Sequence, residues 1–315
     1  MINRRAFIVG LKGISLTKKE IIFLKKFKPW GIILFSRNIR NIKQTKNLTD
    51  KIRKIFKDNN YPIMIDQEGG RVNRLEKIIT SNYLTSEYFG QLYLKNFKEF
   101  KILYKLFIDK TSHLLKYLGI NINTVPVLDL NYKGSSKVIG NRSYSKDPKI
   151  VSNIGNLCIQ YFKNNSIGTV MKHIPGHGLA KVDSHYYTPT IDKPLRQLIK
   201  KDFLAFQKKK ILFAMTAHIK FNKIDPINTV THSRKIIKLI RDKIKFRNIL
   251  ISDDISMKSL KTSIERSTIQ SFKAGCNLVL HCNGNLKEMK IVAKNSPKLS
   301  SFVIKKTSQF YKILS

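Results

Sequence analysis

Three of the chain's seven histidines, His173, His177 and His185, fall within one stretch of loop-forming residues, and a carboxylate, Asp183, stands two positions before the last of them. The stretch, Met171-Lys-His-Ile-Pro-Gly-His-Gly-Leu-Ala-Lys-Val-Asp-Ser-His-Tyr-Tyr-Thr-Pro189, follows directly on a short apolar run, Ile167 to Val170, that reads as a buried strand. Ionisable side chains just beyond a strand end are where α/β folds keep their chemistry. Three readings compete. His173, His177, Asp183 and His185 offer a metal-ligand set, although Pro175, Gly176 and Gly178 deny the helix on which a His-x3-His pair usually binds. Asp183 and His185 offer an acid/base pair, because a carboxylate that accepts from one ring nitrogen fixes the tautomer and leaves the other nitrogen free to move a proton. The third reading is a Gly/Pro-rich loop whose histidines satisfy local backbone groups and nothing more.

Other polar clusters occupy comparable places. Asp66-Gln-Glu-Gly-Gly-Arg-Val-Asn-Arg74 follows an apolar run, and its acid and arginines suit either a self-paired turn or the binding of sugar hydroxyls and an acyl group. Pro126-Val-Leu-Asp129 leads to Ile139-Gly-Asn-Arg-Ser-Tyr144, and Asp147 before Pro148 is a natural helix N-cap. Met215-Thr-Ala-His218 puts a histidine at a strand end, expected to line the site. In Ile251-Ser-Asp-Asp-Ile-Ser-Met257 two adjacent acids follow a buried run, so strand alternation must send Asp253 and Asp254 to different sides.

The elements that must position these groups are strands buried on both faces. Eight apolar runs recur, at Phe7–Gly10, Gly31–Phe35, Pro62–Asp66, Ile120–Val125, Ile167–Lys172, Ile211–His218, Ile249–Asp253 and Asn277–His281. Amphipathic stretches of helical length lie between them, most clearly Gln44–Phe56, Phe97–Tyr117, Pro148–Phe162, Pro194–Gln207, Ser233–Ile244 and Lys258–Ala274, with Ser300–Leu314 as a closing helix. Eight β/α units predict a (β/α)8 TIM barrel with its active site after the strands. A doubly wound sheet would want a Gly-rich phosphate turn after an early strand, and Gly69-Gly70 is not one. No repeat or Gly/Ser linker divides residues 1–315, which predicts a single domain.

Composition sets outer bounds. An apolar content of 42% with 9 prolines fits a globular protein. The 60 Lys and Arg against 20 Asp and Glu give a net charge of +40, which invites a polyanionic partner such as nucleic acid. Yet the lysines are spread along the chain and travel with excess Ile and Asn, all encoded by A/T-rich codons, so compositional drift accounts for them and no specific nucleic-acid partner is expected. Cys158, Cys276 and Cys282 lack framework spacing, as expected of free thiols in a reducing compartment. Ala6 to Gly10 is too short for a signal-peptide core, and nowhere do 18 apolar residues run together; a soluble, cytoplasmic protein is expected.

The pattern K-H-x-P-G-H-G-x4-D-S-H-x3-P resembles the signature of family 3 glycoside hydrolases, in particular the bacterial β-N-acetylglucosaminidases of the NagZ type. The resemblance runs from about Phe7 to the last helix. It includes D-Q-E-G-G-R-V-x-R at Asp66–Arg74, I-G-x-R-S at Ile139–Ser143 and D-x-[LI]-S-M after Ser252. It implies that Asp253 is a nucleophile and His185, oriented by Asp183, the acid/base. It further implies that Asp66, Arg74, Arg142, Lys172 and His173 contact the sugar. Departures are Ile174, where Phe is usual, and Asn73, where Gln is common. Also implied are a monomer without cofactor or metal and a role in peptidoglycan recycling, the substrate being muropeptides that carry 1,6-anhydro-N-acetylmuramic acid. Two alternatives remain at this point: a polyanion-binding barrel and a metal-dependent hydrolase.

Overall fold

The computed structural model describes residues 3–134, 136–184 and 186–315. Among the described residues ten strands form, in chain order β1 Arg5–Gly10, β2 Pro29–Leu34, β3 Ile63–Ile65, β4 Ile122–Asn123, β5 Gly168–Ile174, β6 Thr190–Ile191, β7 Phe213–Thr216, β8 Lys220–Phe221, β9 Ile249–Asp254 and β10 Leu278–His281. Eight of them close a parallel barrel in the order β1-β10-β9-β7-β5-β4-β3-β2, with Phe7 opposite Val279 at the closure. The remaining pair, β6 and β8, makes a small parallel ribbon. Each apolar run became a barrel strand, as the (β/α)8 expectation requires.

Alternation along the strands sorts the core into two layers. Ile8, Ile33, Met64, Val170, Ile251 and Leu280 turn into the barrel. Their neighbours Phe7, Val9, Ile32 and Ile65 turn outwards against the helices. The helices are α1 Lys18–Phe27, α2 Ile42–Phe56, α3 Ser86–Lys95, α4 Phe97–Tyr117, α5 Pro148–Asn164, α6 Leu195–Lys200, α7 Arg234–Leu239, α8 Ile264–Ala274, α9 Leu286–Asn295 and α10 Ser301–Leu314. Asp147 caps α5, accepting from the Lys149 amide at 2.7 Å, with Pro148 in the first turn. Three expected helices are interrupted. Pro194–Gln207 is α6 followed by a 3-10 turn, Ser233–Ile244 is α7 followed by a π turn, and Lys258–Ala274 divides before Ser263, which caps α8.

The closing helix α10 explains why chemistry is confined to one end. It plugs the N-terminal mouth: Trp30 Nε1–H donates to Thr307 Oγ1 at 2.9 Å, and Phe310 meets Phe213 edge-on with centroids 5.5 Å apart. At Gly168 a Cβ would lie 2.6 Å from the Phe310 ring, so that position needs glycine for close approach. Loops at the opposite, C-terminal end are left to build a site. Exposed lysines occur on several helices around the barrel, for example Lys18 on α1, Lys51 on α2, Lys101 on α4, Lys163 on α5 and Lys273 on α8, and also on the plugging helix, at Lys305 on α10. Among the described residues these lysines are scattered over different helices, which weighs against the polyanion-binding alternative. Among the described residues no helix is long and apolar enough to cross a membrane.

Candidate active site

Strand ends and their loops surround a cavity of about 350 Å³ at the C-terminal mouth. Seven of the residues expected at a site line it together: Asp66, Arg74, Arg142, Lys172, His173, Asp183 and Asp253. His185 lies outside the described residues. His218 does not line the cavity, contrary to expectation; its ring is fully buried behind β9.

The charged wall centres on an acid that sequence reasoning passed over. Glu68, 7% exposed, takes a bidentate pair of bonds from Arg142, Nε to Oε2 at 2.7 Å and Nη2 to Oε1 at 2.8 Å. Lys172 Nζ lies 2.7 Å from Glu68 Oε1 and 3.1 Å from Asp66 Oδ1, and donates to Thr124 Oγ1 at 3.0 Å. The Thr124 hydroxyl donates in turn to Asp66 Oδ1. Arg74 approaches the other oxygen of Asp66 at 3.6 Å while its guanidinium covers the Phe35 ring. Burial opposes ionisation of Glu68, but Arg142 and Lys172 outweigh it and hold the carboxyl far below its usual range. Burial likewise opposes charge on Asp66, and Lys172 and Arg74 again win, so it too is lowered.

This arrangement makes Glu68 the counter-ion that keeps two cations in place. Removing one partner of a buried ion pair typically costs about 3–5 kcal/mol. Glu68→Ala is therefore expected to lose stability on that scale in a denaturant melt. The folded-state value is depressed, so the stabilisation is complete above the unfolded value of about 4.3 and disappears as the pH falls through the folded one. The deficit of the variant should accordingly shrink on acidification.

A second buried acid fixes the histidines. Asp129, fully buried, accepts from His173 Nδ1 at 2.6 Å and from the backbone amides of His173 and His177, the latter at 2.7 Å. Burial disfavours its charge, but His173, His177 and the His177 amide pull its pKa below the usual range. With Nδ1 engaged, the cavity-side nitrogen of His173 is Nε2. The signal for Asp129 was a lone acid between Leu128 and Leu130, a place that only a partnered carboxylate can occupy.

The adjacent acids at the end of β9 do separate. Asp254 Oδ1 accepts from the Ser256 amide at 3.0 Å, the Ser256 hydroxyl at 2.8 Å and the Cys282 amide at 3.1 Å, so it caps a turn. Asp253 accepts from the Asp254 amide at 2.8 Å. Behind them His218 Nε2–H donates to the Asp254 carbonyl at 2.9 Å, and its Nδ1 stands 2.7 Å from Thr231 Oγ1. His218 thus braces the strand end. Burial opposes charge on Asp253, yet His218, His173, the Asp254 amide and Lys172 together lower its pKa. An ionised carboxylate with cations around it and space in front of it is equipped for attack on an electrophilic carbon.

Asp183 is half-buried on the loop across the cavity, beside Ser184. Of the residues weighed as metal ligands, His173 spends Nδ1 on Asp129 and His177 has Nε2 3.1 Å from Ser184 Oγ. Among the described residues no three His, Cys, Asp or Glu side chains are gathered as a ligand set.

Comparison with known proteins gives this architecture a class. Residues 11–306 match the N-terminal domain of glycosyl hydrolase family 3. A beta-hexosaminidase of Hydrogenovibrio crunogenus is 31% identical over 258 residues, which cover 80% of this chain and 71% of that protein. A beta-hexosaminidase of Methylobacillus flagellatus is 29% identical over 281 residues, 88% of this chain and 80% of the other. Native NagZ from Neisseria gonorrhoeae superposes with a TM-score of 0.81 at 25% identity, over 99% of this chain and 96% of that one. The family 3 β-N-acetylglucosaminidase of a Paenibacillus strain gives a TM-score of 0.84 at 23% identity over 98% of this chain, which spans 60% of that longer protein. The chain is a glycoside hydrolase and belongs to glycosyl hydrolase family 3. Within the family it is similar to the bacterial NagZ-type proteins, as its sequence motifs imply.

Proposed function

We propose that the chain is a retaining β-N-acetylhexosaminidase that removes terminal β-linked N-acetylglucosamine, working as one catalytic domain and a monomer in the cytoplasm. The observation that carries this reading is the placement of Asp253, a carboxylate held below its usual pKa, in one cavity with Asp66, Arg74, Arg142, Lys172 and His173. Asp253 attacks the anomeric carbon, and the bond to the leaving oxygen breaks as His185, oriented by Asp183, protonates that oxygen. Water then attacks the glycosyl-aspartate, gives its proton to the same histidine and restores the carboxylate. An unperturbed imidazole titrates near ~6.5, so it exchanges a proton near neutral pH without the burial a glutamic acid needs. Asp66 accepts from sugar hydroxyls; the Lys172 donors already committed to Asp66, Thr124 and Glu68 keep that carboxylate aimed.

Muropeptides bearing 1,6-anhydro-N-acetylmuramic acid are the proposed natural substrates, which places the reaction in peptidoglycan recycling. Incubation of the enzyme with such fragments is expected to release N-acetylglucosamine and leave the anhydro sugar with its peptide, as read by mass spectrometry. Turnover of chitin disaccharide without any cleavage of the anhydro fragments would remove this substrate assignment.

A further inference from the structure

The loop that carries Asp183 is pinned from inside the cavity. Ser184 is 4% exposed and its Oγ stands 3.1 Å from Nε2 of His177, which is 3% exposed. His177 has no part in the sugar-holding or proton-moving set above, and its own place is rigid. Its amide donates to Asp129 Oδ1 at 2.7 Å, and its carbonyl accepts from the Ala180 amide at 3.0 Å. The flanking glycines are pressed against the barrel, since a Cβ at Gly178 would lie 2.1 Å from the Leu130 carbonyl oxygen and one at Gly176 2.9 Å from Asp202 Cβ. Further along the same loop Tyr186 and Tyr187 are well exposed. The contact therefore joins a fixed point of the barrel to a loop with an open outer face.

Packing is a poor reason for an imidazole here. Nδ1 of His177 is buried without a partner, a cost that a phenyl ring of similar size would not carry. Burial and the nearby His173 lower the ring's pKa to about 4, so it is neutral at pH 7 and the bond to Ser184 is one between neutral groups. Ser184 directly follows Asp183, so a restraint on its side chain restrains the approach of that carboxylate to the cavity.

We propose that His177 is a positioning residue which, through Nε2 and the Ser184 hydroxyl, latches the Asp183-Ser184 segment so that Asp183 stays turned to the cavity. The proposal rests on the acid/base role given to this loop above. A latch of this kind matters most when the leaving group needs a proton. Ser184→Ala and His177→Phe should each lower kcat/KM for the N-acetylglucosamine disaccharide about three- to tenfold more than for an aryl N-acetyl-β-glucosaminide, the scale of one neutral hydrogen bond. The double variant should be no worse than either single one, and Ser184→Thr should restore the disaccharide rate. Equal losses on both substrates, or losses that multiply in the double variant, would overturn the latch and leave a structural contact. Asp183→Asn is measured alongside. If it discriminates between the substrates and Ser184→Ala does not, the latch alone falls; if neither discriminates, the acid/base role of the loop falls with it.

Discussion

Asp253→Ala is expected to lower turnover of N-acetyl-β-glucosaminides by at least about 10³-fold, on good and poor leaving groups alike. Both steps of the proposed reaction pass through this carboxylate, so no choice of leaving group can bypass it. Its one described side-chain bond is to the Asp254 amide, so the loss should appear in rate constants far more than in the melting temperature. The same variant leaves room beside the anomeric carbon, and an added small anion such as azide should enter there and give an α-glycosyl product. In the parent enzyme, the lowered pKa of Asp253 places the acid limb of kcat/KM below the ordinary carboxylate range. Steady-state kinetics over pH, with and without azide, check all of this. Asp254 offers the internal contrast: it holds Ser256 and the Cys282 amide, so its removal should first disturb the fold of the strand end.

The second large effect is one of selectivity. His185→Ala should slow glycosylation by about 10²–10⁴-fold when the departing group is another sugar, because an alkoxide leaves poorly without a proton. A phenol with an electron-withdrawing ring leaves as its anion and should lose much less in that step. Asp183→Asn should follow the same pattern more mildly, since it disturbs the charge and tautomer of the ring without deleting it. Pre-steady-state rates for the two substrate types separate glycosylation from the hydrolysis of the intermediate. Equal losses on both would leave the histidine as a bystander and return the loop to its other readings.

Much of the fold was legible because barrel strands are buried on both faces and so appear as continuous apolar runs. Helix continuity was not. The expected helix Pro194–Gln207 breaks at Lys201, and beside the break Asp202 lies against the Pro175-Gly176 turn, a contact between distant segments that no local period encodes. The site divides in the same way. Asp66 and Asp253 stood out as ionisable groups at strand ends, and the motif supplied Arg142 and Lys172. The importance of Glu68 did not stand out, because it depends on an arginine 74 residues further along folding over it. His218 looked like cavity lining from its strand-end position. Its direction is set instead by Thr231, thirteen residues on, and by the Asp254 carbonyl.

The stereochemistry of the first-formed sugar tests the covalent route most directly. Proton NMR during early turnover of a β-linked N-acetylglucosaminide resolves the anomeric signals before mutarotation mixes them. Two displacements at the anomeric carbon, first by Asp253 and then by water, predict that the β-anomer appears first. A first-formed α-anomer would contradict the glycosyl-aspartate and require a single displacement by water.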